Sequence, residues 1–120
     1  MKVLIADDSE AMRQVINRML RQAGYRGYQV VEVADGVEAM EAVRNEEPDL
    51  ILSDWNMPNK TGIELLKELR ETGNEVPFGF VTAEISGEMR DLALQTGAAF
   101  LIGRPFMPED FQRVLDDYLA

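Results

Sequence analysis

The sequence predicts an α/β domain built on a doubly wound parallel sheet with helices on both faces. Short apolar runs alternate five times with segments of helical period, which is the βαβ signature. The residues that carry chemistry stand just after those runs. Asp7 and Asp8 follow Val3-Leu4-Ile5-Ala6, Asp54 follows Leu50-Ile51-Leu52-Ser53, Thr82 follows Phe78 to Val81, and Arg104 comes soon after Phe100 to Ile102. In an open parallel sheet the carboxyl ends of the strands gather along one edge, and ligands bind there.

Residues 2–6 read as the first strand. Met12, Val15, Ile16, Met19 and Leu20 then fall at i, i+3, i+4, i+7 and i+8, an amphipathic stripe that ends before Gly24, with Ser9 or Asp8 as its cap. Residues 29–33 form the second strand. Asp35-Gly36 reads as a turn, followed by a helix of about two turns carrying Ala39, Met40 and Val43; Pro48 separates it from a third strand at 50–53. Thr61-Gly62-Ile63-Glu64 matches a capping box that opens a third helix with Leu65, Leu66 and Leu69 inward and Gly73 at its end. The fourth strand is predicted at 77–81. The fourth helix, about 86–96, is the weakest, with Met89, Leu92, Ala93 and Leu94 as its anchors, and is expected to be mobile. The fifth strand spans about 99–102. Pro108 suits the first position of the last helix, whose Phe111, Val114, Leu115 and Tyr118 face inward, and Met107 stands where a capping hydroxyl would help. The methionines at 12, 19, 40 and 89 fit helical core spacing and need no cofactor.

At 120 residues with 46% apolar side chains the chain suits one domain over 1–120, with a core that buries roughly two thirds of the unfolded surface. Cysteine and histidine are both absent. That excludes disulfides, thiolate or imidazole metal ligands, a cysteine nucleophile and a phosphohistidine within this chain, and leaves oxygen chemistry on Asp, Glu, Asn, Ser and Thr. A reducing cytoplasm is the expected setting. The formal charge of −10 disfavours nucleic acid and anionic membranes as partners. The apolar run before Asp7 is too short for a signal peptide, and no run approaches a membrane span.

Carboxylates crowded at one sheet edge disfavour one another's ionised forms unless a hard, oxygen-seeking cation such as Mg²⁺ sits between them. Taken singly, Asp7, Asp8 and Asp54 would serve equally well as helix caps or solvated loop ends, Thr82 as a loop hydroxyl, and Arg104 as an ion-pair partner for the acids. Their joint placement, with the motifs around them, points to a site. Glu84 reads equally as a solvated loop acid, and Trp55 as a partly exposed neighbour of Asp54.

The chain resembles the CheY-like receiver domains of bacterial two-component response regulators. The resemblance spans essentially the whole sequence: an acidic pair after the first strand, Asp54-Trp55-Asn56-Met57-Pro58 after the third, Thr82-Ala83-Glu84 after the fourth, and a basic residue before Pro105-Phe106 after the fifth. It implies a flavodoxin-like (βα)5 sheet in the order 2-1-3-4-5. It also implies that Asp54 is the phosphoacceptor, that Asp7, Asp8 and Asp54 bind Mg²⁺ together with the backbone carbonyl of Asn56, and that Thr82 and Arg104 hold the phosphoryl group. Residues at the positions of Asn56 and Glu84 tune hydrolysis in the family. The implied partners are a sensor histidine kinase or histidine phosphotransfer protein and a downstream protein target. The implied chemistry is self-catalysed phosphotransfer and aspartyl-phosphate hydrolysis, not turnover of a separate substrate.

Two positions depart from the family pattern. Arg104 stands where the family has lysine, exchanging a compact ammonium for a planar fork, and Leu101 stands where a Tyr or Phe ring takes part in the family's switch. Phosphorylation is expected to survive both changes, with switching altered; an adaptor or phosphate sink is the alternative. Phe100 is adjacent to Leu101, but a shift of one residue on a strand turns a side chain to the opposite face. The loop Tyr25-Arg26-Gly27-Tyr28 is about two residues longer than usual. A flavin-binding or hydrolase domain fits poorly, because Asp7-Asp8-Ser9 replaces the Thr/Gly/Ser-rich phosphate loop that such a fold needs after its first strand.

Overall fold

A computed structural model describes residues 1–83 and 85–119. Five strands, β1 (Lys2–Ala6), β2 (Gln29–Val33), β3 (Leu50–Ser53), β4 (Phe78–Thr82) and β5 (Phe100–Gly103), alternate with five helices, α1 (Glu10–Gln22), α2 (Gly36–Glu46), α3 (Gly62–Glu71), α4 (Gly87–Thr96) and α5 (Pro108–Leu119). The strands form one parallel sheet in the order 2-1-3-4-5, as predicted. Because alternate side chains point to opposite faces, each strand feeds two cores. Leu4, Ala6, Ile51, Phe78, Phe80 and Leu101 pack under α2, α3 and α4, whereas Val3, Ile5, Leu50, Leu52, Val81, Phe100 and Ile102 pack under α1 and α5.

Helix starts follow the chemistry of their caps. Ser9 accepts from the Met12 N–H at 3.2 Å to open α1, and Thr61 and Glu64 form the expected reciprocal capping box on α3. Met107 has no capping hydroxyl, but Asp110 accepts the Met107 N–H at 3.0 Å and supplies half of what is missing at α5. The long loop before β2 is fastened from within: Tyr25 is buried and its hydroxyl donates to Asp116 of α5 at 2.6 Å.

Four expectations need correction. Asp35 and Gly36 are the cap and first residue of α2, which runs three turns instead of two, because the Asp35 carboxylate accepts the Glu38 N–H at 2.8 Å. β4 and β5 each lie one residue further along the chain than expected, since Thr82 pairs with Gly103 beyond the apolar runs. In α4 only Ala93 is buried; Leu92 and Leu94 are 47% and 48% exposed and do not anchor it. Met12, Met19 and Met89 are half-buried, and Met40 alone of the four named methionines is fully in the core. No helix among the described residues is long and apolar enough to cross a membrane.

Gly79 explains how Phe100 fits between β4 and α5. The two residues are ladder partners, and the ring lies over the glycine so closely that a Cβ there would fall 2.0 Å from Phe100 Cε1. On its far side the ring meets Tyr118, centroids 6.4 Å apart. Gly79→Ala is therefore expected to lower stability by roughly 1–3 kcal/mol through overpacking, measured by urea denaturation. In the Phe100→Leu background the same substitution should cost clearly less; equal costs in both backgrounds would mean that the ring is not the obstacle.

Candidate functional site

Sheet register builds the site. Ala6 pairs with Ser53, and the Asp54 N–H donates to the Ala6 carbonyl at 2.9 Å, so Asp7 and Asp54 emerge side by side from β1 and β3. The Asp7 N–H donates to Val33 of β2 at 3.1 Å, fixing the other flank. One carboxylate oxygen each from Asp7, Asp8 and Asp54 lies within 4.8 Å of the others; Asp7 is buried, Asp54 half-buried and Asp8 exposed. They line a cavity of about 220 Å³ with Ser9, Met12, Thr82, Arg104 and Phe106.

Asp54 is held by its neighbours. Its Oδ1 accepts from the Thr82 hydroxyl at 2.8 Å and from the Trp55 N–H at 2.7 Å, and Oδ2 has no hydrogen bond among the described residues. The Trp55 ring is half-buried and packs on Phe80, centroids 4.8 Å apart. Behind it α3 begins so close to Asp54 that a Cβ on Gly62 would lie 2.1 Å from the Asp54 carbonyl oxygen, which is why a glycine follows the cap Thr61. Asp7 Oδ1 accepts the Ser9 N–H at 2.8 Å.

Of the residues named from the sequence, the structure brings together Asp7, Asp8, Asp54, Thr82 and Arg104. Arg104 is exposed on the rim, and among the described residues no ion pair joins it to the three acids. Asn56 is exposed in the loop between β3 and α3 and does not line the cavity. Glu84 lies outside the described residues. Leu101 packs on the α2–α4 side and Phe100 on the α1–α5 side, so Phe100 is turned away from Leu101's face as the strand period requires. Sequence reasoning missed Arg13, which donates to the Asp7 carbonyl at 2.7 Å; its signal was a cation one turn into the helix that follows the acidic pair.

An acidic pocket at the carboxyl edge of a 2-1-3-4-5 sheet, with a hydroxyl on its central carboxylate, is the architecture of a signalling receiver. The family profile of the response regulator receiver domain matches residues 3–116, and the chain belongs to that family. It is 36% identical to chemotaxis protein CheY-3 of Vibrio cholerae over 118 residues, 97% of this chain and 89% of that protein. Response regulator MprA of Mycobacterium sp. (strain KMS) is 35% identical over 91% of this chain but only 46% of its own length, so the chain spans about half of that relative. Among solved structures, Vibrio cholerae CheY4 superposes with a TM-score of 0.83 at 36% identity, with 98% of each chain covered. The receiver domain of Francisella response regulator 1452 gives 0.85 at 31% identity, covering 98% of this chain and 95% of that one.

Burial pushes the Asp7 carboxyl up to about 6, with Asp54 and Asp8 adding to the rise and the Ser9 N–H and Arg13 opposing it. The folded state thus binds a proton at Asp7 more tightly than the unfolded chain does. The resulting stabilisation is complete below the ordinary value of 3.8 and is lost as pH rises through about 6. In metal-free protein Asp7→Asn keeps an acceptor for Ser9 but cannot ionise. Its stability gain over wild type, from urea denaturation, should grow from near zero at about pH 4 to roughly 1–3 kcal/mol at about pH 7. A gain that did not change with pH would remove charge burial as the cause.

Proposed function

We propose that residues 1–120 work as a single receiver domain in which Asp54 accepts a phosphoryl group from a partner's phosphohistidine, in a reaction that needs Mg²⁺. The observation that carries this reading is the convergence of three carboxylates within 4.8 Å beside a hydroxyl bonded to one of them. The three converging groups offer only carboxylate oxygen, and their buried member resists ionisation with no ion pair to compensate the cluster among the described residues, which is the setting a hard divalent cation fits. Asp7, Asp8 and Asp54 would hold Mg²⁺, and the resemblance to the family adds the Asn56 carbonyl, from the loop beside the cavity, as a further ligand. Bound there, the cation offsets the negative charge of the carboxylates and of the incoming phosphoryl oxygens.

The chain's own residues do the rest by positioning. Thr82 and the Trp55 N–H fix the plane of the Asp54 carboxylate through Oδ1. An Asp54 oxygen forms the new O–P bond as the P–N bond of the phosphohistidine breaks, and the imidazole leaves with the electron pair and picks up a proton. With no histidine of its own, the chain depends on a sensor histidine kinase or histidine phosphotransfer protein for the donor. Rotation of its side chain lets the Thr82 hydroxyl donate to a phosphoryl oxygen, and Arg104 on the rim supplies fixed positive charge. Water later attacks phosphorus and releases Asp54. The domain turns over no other substrate; it works in the cytoplasm and signals through a protein target. The adaptor or phosphate-sink alternative has nothing in its favour beyond Arg104 and Leu101.

Incubation with acetyl phosphate and Mg²⁺ is expected to raise the intact mass by one phosphate, and chelation of Mg²⁺ to abolish the gain. Asp54→Asn should not gain mass, and Thr82→Ala should gain it more slowly at the same residue. Undiminished labelling of Asp54→Asn would sink the assignment of the phosphoacceptor.

A further inference from the structure

Arg13, in the first turn of α1, has no part in the chemistry above, yet its guanidinium is committed on two sides. Nη1 donates to the main-chain carbonyl of Asp7 at 2.7 Å, and Nε donates to Oε1 of Glu32 on β2 at 3.0 Å. The side chain is only 16% exposed. The Arg13 N–H also closes the first turn of α1 on the Ser9 carbonyl at 3.0 Å, so the residue reaches back over the turn from which its own helix starts.

The carbonyl it grips belongs to the peptide between Asp7 and Asp8. That peptide is planar, so a hydrogen bond on its oxygen sets the whole plane, the direction of the Asp8 N–H included. On the other side of Asp7 the Ser9 N–H holds Oδ1. Asp8 is exposed and its carboxylate has no hydrogen bond among the described residues, so the backbone alone aims it.

We propose that Arg13 is a positioning residue of the acidic pocket: by bridging the Asp7 carbonyl and Glu32 it fixes the peptide plane between Asp7 and Asp8, and so sets how tightly the pocket holds a divalent cation. The inference rests on the reading of Asp7 and Asp8 as cation ligands. Charge alone works in the other direction, because a guanidinium repels a second cation and its loss would tighten binding. The two roles therefore predict opposite signs. Lysine keeps the charge, but a single ammonium does not reproduce two nitrogens aimed at two acceptors.

The test is a Mg²⁺ titration followed by the fluorescence of Trp55, the only tryptophan and the neighbour of Asp54, in wild type, Arg13→Lys and Arg13→Gln. Metal-free urea denaturation of each protein runs alongside. The Kd for Mg²⁺ should rise roughly 10-fold in Arg13→Gln, the low end of what losing an outer support of a metal site costs, and by less in Arg13→Lys, which keeps one donor. Metal-free stability of Arg13→Lys should stay close to wild type, a split that a merely structural residue would not give. If Arg13→Gln does not fold, Arg13→Lys and Glu32→Ala, which frees the far end of the bridge without touching Asp7, carry the test, and both should weaken binding. Wild-type affinity in Arg13→Lys, tighter binding in Arg13→Gln, or affinity losses that only follow unfolding would each overturn the proposal. A wild type whose fluorescence and melting ignore Mg²⁺ overturns the cation reading, and this inference with it.

Discussion

The hydrogen bond from the Asp54 N–H to the Ala6 carbonyl, 2.9 Å long, is the last link of the β1–β3 ladder, and the arrangement of the site follows from it. A parallel ladder runs both strands in the same direction, so the residues that follow them leave the sheet together. Asp7 and Asp54 are therefore set side by side by backbone geometry, whatever their charges prefer. The ladder holds because what lies below it is all apolar and fully buried: Val3, Leu4 and Ile5 in β1, Leu50, Ile51 and Leu52 in β3. A slip of one residue would turn every one of these side chains to the wrong face.

Around this pair the structure invests in orientation more than in neutralisation. Thr82 and the Trp55 N–H hold one oxygen of Asp54, the Ser9 N–H holds one oxygen of Asp7, and Arg13 holds the carbonyl between Asp7 and Asp8. No ion pair reaches the three carboxylates among the described residues. Burial first, and then the neighbouring Asp54 and Asp8, raise the Asp7 carboxyl above its ordinary range.

The opposite tendency appears at α4, which rests on Ala93 alone and leaves Leu92 and Leu94 near half exposure. Its start is set by Ser86, which accepts the Met89 N–H at 3.1 Å, and its end by Gly97 at a positive φ of 111°. Local capping thus fixes the helix in place of a deep apolar stripe. Such an element is held to the sheet by fewer buried contacts than α1 or α3, which makes it one of the parts of the fold that costs least to displace.

The sequence by itself determined the five strands, the five helices and the residues that follow each strand, because continuous apolar runs and period-3.6 stripes are local signals that burial enforces. It also placed Asp7, Asp8, Asp54 and Thr82 together at one edge of the sheet, where they line one cavity, since polar residues at strand ends have one edge to go to. Local pattern failed where a residue without an apolar side chain did a strand's or a cap's work: Thr82 as the last residue of β4, Gly103 as the last of β5, Asp35 as the cap of α2. Apolar letters misled it in α4, where periodicity alone cannot tell a leucine that meets the core from one that meets water. Only the tertiary structure decided that Phe100 fills the space above Gly79 and that Tyr25 ties its loop to Asp116. Those contacts join residues by the distance between folded elements, and a distance across a sheet or between two helices is set by packing, for which no stretch of neighbouring residues carries a signal.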